Sequence, residues 1–157
     1  MQFAKPGPQH KWLHKLIGDW TYESSMPDKP GQPEMKCSGK ESFRSIGGMW
    51  VMGEGSGEMP GCGPATMVMT LGYDPAKKRF VGSWVGSMMA NLWVYDGVLK
   101  GNTLTLTSQG PDCMGTSKKL MTYRDVITIT GRNTRTLTSW MPGKGGKWIT
   151  MMTAKYT

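Results

Sequence analysis

The chain has 157 residues, an aromatic content of 10% and seven tryptophans, which fits one folded domain and argues against disorder. Its 19 basic and 11 acidic residues give a formal net charge of +8, but the basic residues are scattered over turns, as on a solvated surface. No nucleic-acid-binding motif accompanies them, so we expect no nucleic-acid partner. The three cysteines show no CxxC spacing and predict neither a zinc site nor a disulfide framework.

No part of the chain reads as a membrane span or a targeting segment. No run approaches the ~18 apolar residues that a spanning helix needs. Residues 1–6 lack the apolar core of a signal peptide. We therefore expect a cytoplasmic protein with no membrane partner, and a signal peptide removed earlier is the alternative.

One short helix is predicted near the N-terminus. Trp12, Leu13 and Leu16 fall on one face at helical spacing, which indicates an amphipathic helix over about residues 10–17. Gly18 is well placed to end this helix.

The two histidines of the chain both lie in this helix. His10 and His14 are four residues apart, a spacing that places both on one face and could serve a metal ion. Lys11 and Lys15 follow them directly, and no acidic residue lies between them. We therefore expect two solvent-facing histidines and no metal site.

From residue 19 onward, short alternating segments are separated by turns rich in glycine and proline. In residues 35–44, basic side chains and serines occupy one face, while Met, Cys, Gly, Glu and Phe occupy the other. Residues 26–33 contain three prolines and cannot form a central strand, because proline lacks the ladder donor. Residues 58–64 have the composition of a loop. The pattern predicts about ten short, evenly spaced strands.

Sequential strands joined by short turns form an antiparallel meander. An open meander would leave two unpaired edges, and closure into a barrel removes them. We therefore predict an all-β fold, a ten-stranded barrel forming a single domain over residues 1–157, with a two-layer sandwich as the alternative. A small barrel of this strand number can enclose a ligand.

Several segments carry a family resemblance. Gly18-Asp19-Trp20, directly after the helix, resembles the first strand of lipocalins and fatty-acid-binding proteins, where the tryptophan plugs the barrel base. The other matching segments are L-I-G-D-W at 16–20, P-G-Q-P at 30–33, L-G-Y-D-P at 71–75, F-V-G-S-W at 80–84, Y-D-G at 95–97 and L-T-L-T-S-Q-G-P-D at 104–112. Together they are similar to a bacterial family of unknown function, number fifteen-seventy-nine, which is regarded as lipocalin-like. The resemblance implies a lipocalin-like (calycin) barrel and supplies no reaction.

Two acidic side chains are predicted to point into the barrel. Glu41 shares a face with apolar neighbours, and Asp125 shares the face of Tyr123. A buried carboxylate costs free energy unless it is paired or neutralised. Each acid therefore either orients a ligand or is tied to Arg124, Lys155 or backbone amides, and pairing is the commoner use of a buried charge.

Two further positions have an ambiguous orientation. Glu54 has the parity of Trp50 and Met52, whereas the opposite face carries Val51 and three glycines. Arg124 has the parity of outward-facing threonines, but a β-bulge nearby would turn it inward.

Methionine and tryptophan side chains indicate where a pocket could lie. The fifteen methionines adapt to irregular ligands, or they simply fill the core. Trp84 shares a face with Gly82 and Gly86, which leaves open volume beside a large ring unless the glycines relieve bending at a barrel corner. The predicted ligand-binding residues are Tyr22, Glu41, Met52, Glu54, Met69, Trp84, Tyr123, Arg124 and Asp125.

Three functions are consistent with these features. The first is a non-enzymatic protein that binds a small, mostly apolar ligand inside the barrel, with Tyr22, Glu41 and Asp125 as polar anchors. The second is an enzyme with Glu41 or Asp125 as general base, which requires an unpaired carboxylate open to a cleft. The third is a dimerising interaction module with Val81 and Val85 at the interface.

No cofactor is expected. The related nitrobindin barrels hold haem through a histidine late in the chain, and this chain has no histidine after His14. The sequence G-E-G-S-G at 53–57 lacks the following helix that would present backbone amides to a phosphate.

Overall fold

The computed structural model describes residues 2–27, 34–59 and 63–157, and of Met59 the backbone alone. A short helix, α1 (Pro8–Leu13), precedes a sheet of ten strands. The strands are β1 (Gly18–Met26), β2 (Met35–Ile46), β3 (Trp50–Met59), β4 (Gly63–Asp74), β5 (Arg79–Gly86), β6 (Trp93–Lys100), β7 (Thr103–Gly110), β8 (Met121–Gly131), β9 (Thr134–Pro142) and β10 (Trp148–Tyr156).

The sheet is a closed barrel. Each strand pairs antiparallel with its neighbours in sequence, and β1 pairs with β10, which joins the two edges. In this closing pair Tyr22 lies opposite Tyr156. The predicted meander barrel is confirmed, and the two-layer sandwich is excluded. Within the described ranges, no helix is long and apolar enough to cross a membrane.

The predicted helix is shorter than expected. α1 ends at Leu13, and the chain continues as a 3₁₀ turn over His14–Leu16 instead of one helix to residue 17. Gly18 follows at φ 134°, a conformation that side-chain-bearing residues rarely adopt, and starts β1 there.

Two predicted loops are also shorter than expected. Met26 still belongs to β1. β3 extends to Met59 and β4 begins at Gly63, so both ends of the predicted 58–64 loop belong to strands. Residues 28–33, which include the P-G-Q-P segment of the family resemblance, lie outside the described residues, as do residues 60–62.

The prediction that His10 faces solvent is wrong. Its side chain is 1% exposed. The Gly7 N–H donates to Nδ1 at 2.9 Å, so Nε2 carries the hydrogen and donates to the Tyr73 carbonyl at 3.1 Å. His14 is half-buried, and its Nε2 lies 3.2 Å from the Gly48 carbonyl. Both rings attach the helix to the barrel, because the face that carries them rests on the barrel end.

The helix end of the barrel is filled by side chains. Leu13 and Leu16 are buried from the helix side, and Trp12 packs edge-on against Phe80 at 6.3 Å between ring centroids. Together with the leucines of β4 and β7, these side chains make a packed core. The remaining half of the interior, away from the helix, is not filled in this way.

The outer face of the barrel carries exposed valines. Val85 and Val94 are exposed and Val81 is half-buried, all on the outside of β5 and β6. The orientation of Val81 and Val85 is therefore as predicted, and a role for them in dimerisation stays a prediction.

Candidate functional site

The half of the barrel away from α1 contains a cavity of about 240 Å³. Its walls are mainly apolar and include Met67, Met69, Trp84 and Ile127. Met89 and Cys113 lie at its solvent-exposed rim. Because most protein interiors are closely packed, an opening of this size is unusual in a small domain.

Six of the nine predicted ligand-binding residues meet in this cavity. They come from strands β1, β2, β4, β5 and β8, so closure of the sheet is what brings them together. The six are Tyr22, Glu41, Met69, Trp84, Tyr123 and Asp125.

The other three predicted residues are on the outside of the barrel. Met52 and Glu54 share the outer face of β3, since Val51, on the opposite face, is fully buried. The three glycines of β3 face inward and leave room for neighbouring side chains. Arg124 is exposed, and its guanidinium lies over the Trp148 ring at 4.2 Å. The bulges in the described strands lie in β8 near residue 130 and in β10 near residue 151, and neither turns Arg124 inward.

Glu41 is bound by Arg135, which is not one of its predicted partners. Arg135 Nη2 donates to Glu41 Oε1 at 2.5 Å, and the two side chains are 2% and 10% exposed. The predicted partners Arg124 and Lys155 are both exposed and contribute nothing to this pair. Pairing with a guanidinium is what makes the burial of the Glu41 carboxylate tolerable.

The Arg135 guanidinium is held between aromatic rings. It lies 3.7 Å from the Tyr156 centroid, 4.8 Å from Trp20 and 5.3 Å from Phe43. Trp20 is fixed in turn, because its Nε1 donates to the Leu16 carbonyl at 2.8 Å. We call Arg135 and the rings of Trp20, Phe43 and Tyr156 the floor. The floor separates the packed half of the barrel from the cavity.

The alternation of side chains along β9 could have predicted that Arg135 points into the barrel. Arg135 is two residues before Leu137 and four before Ser139, and both of these line the cavity. β9 begins at Thr134, so Arg135 belongs to the strand and shares the inward face of Leu137 and Ser139.

Tyr22 contributes its ring to the cavity wall. Its hydroxyl is buried and has no hydrogen-bond partner among the described residues. The ring lies against the cross-strand pair Gly39 and Gly57, where a Cβ on either residue would overlap the hydroxyl. Tyr22 is therefore packed against the wall, and its hydroxyl is directed away from the open volume.

Asp125 holds a different position on the cavity wall. Tyr95 Oη donates to its Oδ2 at 2.5 Å, and Ser139 Oγ donates to its Oδ1 at 2.6 Å. No basic side chain within the described ranges forms an ion pair with it. Burial raises the pKa of the Asp125 carboxyl, and the two hydrogen bonds oppose that shift only in part.

Tyr123 connects the cavity to the loop that follows β7. Its hydroxyl donates to the Pro111 carbonyl at 2.6 Å and accepts from the Cys113 N–H at 3.1 Å. Its ring packs edge-on against Trp93, with centroids 5.1 Å apart. Burial raises the pKa of Tyr123 to about 12. The hydroxyl therefore stays protonated at neutral pH and fixes the loop at the rim.

Removal of the arginine from the floor should destabilise the protein strongly. Arg135→Met leaves the Glu41 carboxylate buried without its partner, which costs about 3–5 kcal/mol. The double variant Glu41→Leu with Arg135→Met should recover most of that loss, because no charge remains buried. Urea unfolding measures all three proteins. Lys155→Met, an exposed control on β10, should change the free energy of unfolding by less than about 0.5 kcal/mol. A double variant less stable than Arg135→Met alone would contradict this description of the floor.

The ionisation of Asp125 should lower stability as pH rises. Its folded-state pKa is raised, so the folded protein binds more protons than the unfolded chain above the ordinary Asp range. The free energy of unfolding must then fall as pH rises through that window, and Asp125→Asn removes this contribution. The stability of the native protein relative to Asp125→Asn should therefore decline as pH rises above the ordinary Asp pKa of about 4. A difference that stays constant or increases as pH rises would show that burial does not raise the pKa of Asp125.

Comparison with solved structures finds the same barrel at low sequence identity. The crystal structure of Rv2717c from M. tuberculosis matches with a TM-score of 0.63 and 13% identity, over 97% of this chain and 98% of that chain. The S-type phycobiliprotein lyase CPES from Guillardia theta matches with a TM-score of 0.56 and 11% identity, over 94% and 89%. At these identities the likeness shows the lipocalin-like fold alone.

A search of curated proteins found no significant match. A family model described as "Protein of unknown function (DUF1579)" matches residues 5–157, which is nearly the whole chain. The chain therefore belongs to this family, as its sequence segments predicted.

Proposed function

We propose that this protein binds a small, mostly apolar molecule inside its barrel. The observation that carries the proposal is the cavity of about 240 Å³ above the floor. Its volume lies just below the roughly 300 Å³ at which typical ligand pockets start, so it suits a compact ligand.

The composition of the walls supports this proposal. Met67 and Met69 on β4 and Trp84 on β5 lie next to each other in the sheet, with Met69 directly opposite Trp84. Thioether side chains adapt to irregular shapes, and an indole offers a large flat surface. An apolar molecule in contact with these groups gains free energy by leaving water, about 25 cal/mol for each Å² of apolar surface removed.

The polar groups are too few to hold a strongly hydrated molecule. Glu41 and Arg135 satisfy each other, and the Tyr22 hydroxyl is directed into the wall. Asp125 and Ser108 remain at the cavity surface as groups that could orient a ligand. A mostly apolar ligand with one polar group fits this distribution.

The ion pair also bears on the enzyme hypothesis. Glu41 is neutralised by Arg135 and is no longer a candidate general base. Asp125 is the carboxylate that still meets the requirement of an unpaired acid open to a cleft. In the described part of the chain, its neighbours Tyr95 and Ser139 each hydrogen-bond one of its oxygens and do not by themselves indicate a particular reaction, so binding is the function we propose.

Filling the cavity with a side chain should abolish binding. Ser108 is buried and lines the cavity, so Ser108→Phe places a ring in the volume that the ligand would occupy. Titration calorimetry with octan-1-ol should show saturable binding to the native protein and at least a tenfold loss for Ser108→Phe. Gln109→Phe, one residue further along β7 and exposed, is the matched control and should bind as the native protein does.

Circular dichroism must show that both variants are folded. The proposal is wrong if octan-1-ol does not bind the native protein, or if folded Ser108→Phe binds it with unchanged affinity.

A further inference from the structure

The charges around the cavity differ from those of the protein as a whole. The chain carries 19 Lys and Arg residues and a net charge of +8. Among the described residues, however, Arg135 is the one basic side chain that lines the cavity, and Glu41 neutralises it. With Asp125 ionised, the cavity has a net charge of −1. The interior is therefore the acidic part of a basic protein.

An anionic ligand would be poorly held in such a cavity. A carboxylate on the ligand would find no free cation in the described walls and would meet the Asp125 carboxyl. Like charges repel strongly where water is excluded. Arg135 is a poor anchor for an anion, because Glu41 already balances its charge through Nη2, and its Nε lies in the aromatic floor with no hydrogen-bond partner among the described residues.

Asp125, unlike Arg135, keeps free hydrogen-bonding capacity for a ligand. Each of its oxygens accepts one hydrogen bond, from Tyr95 or Ser139, and an ionised carboxylate can accept about four. Two acceptor sites therefore remain on a group that faces the cavity. These two donors also fix the carboxyl in place, so it does not have to be ordered when a ligand arrives.

Aromatic rings surround the same space. Trp84, Trp93, Tyr123 and Tyr156 line the cavity, and Tyr95 is hydrogen-bonded directly to Asp125. The faces of aromatic rings attract cations, and enclosures of such rings with a carboxylate are suited to organic ammonium groups. The floor shows this chemistry within the protein itself, because the Arg135 guanidinium stacks on Tyr156.

We infer that the ligand is an organic amine, which docks its cationic nitrogen on Asp125 and its apolar remainder against Met67, Met69 and Trp84. This inference rests on the proposed ligand cavity and names the chemical class that the cavity selects. The amine enters as an ammonium ion, the ammonium–carboxylate pair forms, and any proton held by Asp125 is released to solvent. Burial raises the pKa of Asp125, so this release is expected in mildly acidic buffer.

Three ligands with the same alkyl chain test the inference. Titration calorimetry at neutral pH compares octylamine, octan-1-ol and octanoate on the native protein. A charge-assisted hydrogen bond is worth about 1.5–3 kcal/mol, so octylamine should bind at least about tenfold more tightly than octan-1-ol. Octanoate should bind most weakly of the three.

Asp125→Asn keeps the size of the side chain and removes its charge. It should erase the preference for octylamine and leave the affinity for octan-1-ol within about threefold. Glu54→Gln is the matched control, because it removes one negative charge from the exposed outer face of β3. It should leave all three affinities unchanged.

A second readout does not depend on any variant. In mildly acidic buffers of different ionisation enthalpy, octylamine binding to the native protein should release protons, and octan-1-ol binding should release none. Octanoate binding as tightly as octylamine, or an undiminished amine preference in Asp125→Asn, would overturn the inference. In either case binding of octan-1-ol keeps the proposed cavity function intact, whereas failure of all three ligands to bind overturns both proposals.

Discussion

The buried pair of Arg135 and Glu41 is the constraint around which the barrel interior is arranged. A guanidinium at 2% exposure is tolerable only with a carboxylate against it and aromatic rings around it. Trp20, Phe43 and Tyr156 supply those rings from β1, β2 and β10, on both sides of the seam where the sheet closes. The pair thus joins β2 to β9, the two strands that flank the closing pair β1 and β10, and it marks where leucine packing ends and open volume begins.

The same pair sets the electrostatic character of the cavity. Because the one arginine that lines the described walls is already neutralised, Asp125 is left as the charge that a ligand would meet. Its neighbours Tyr95 and Ser139 donate hydrogen bonds and add no positive charge. A barrel with a free arginine in this position would favour carboxylates, whereas the observed arrangement favours a cationic or neutral partner.

Much of the fold could be predicted from the sequence, because its signals are local. Alternation and turn residues gave the strand number, and the inward parity of Glu41 and Asp125 follows directly from a period of two. The ambiguous orientation of Glu54 could have been decided by Val51, which is fully buried on the opposite face.

The environment of His10 could not be predicted from the sequence, because burial of a helix face depends on where the helix rests. Here the ring of His10 contacts the Tyr73 carbonyl, 63 residues away. The Glu41–Arg135 contact joins residues 94 apart and exists only once the barrel has closed. Ser139 reaches Asp125 through the register of the β8–β9 hairpin, whereas Tyr95 reaches it from β6, a strand that does not pair with β8.

A ligand in the barrel interior would lie next to Met67 and Met69, so these methionines offer the most direct test of binding in the cavity. NMR of protein with carbon-13-labelled methionine methyl groups would follow a titration with octan-1-ol. We expect the Met67 and Met69 methyl signals to shift and to show contacts to the alkyl chain, while Met52, on the outer face, stays unchanged. Contacts at Met52 in the absence of changes at Met67 and Met69 would place the ligand on the outside of the barrel and contradict binding in the cavity.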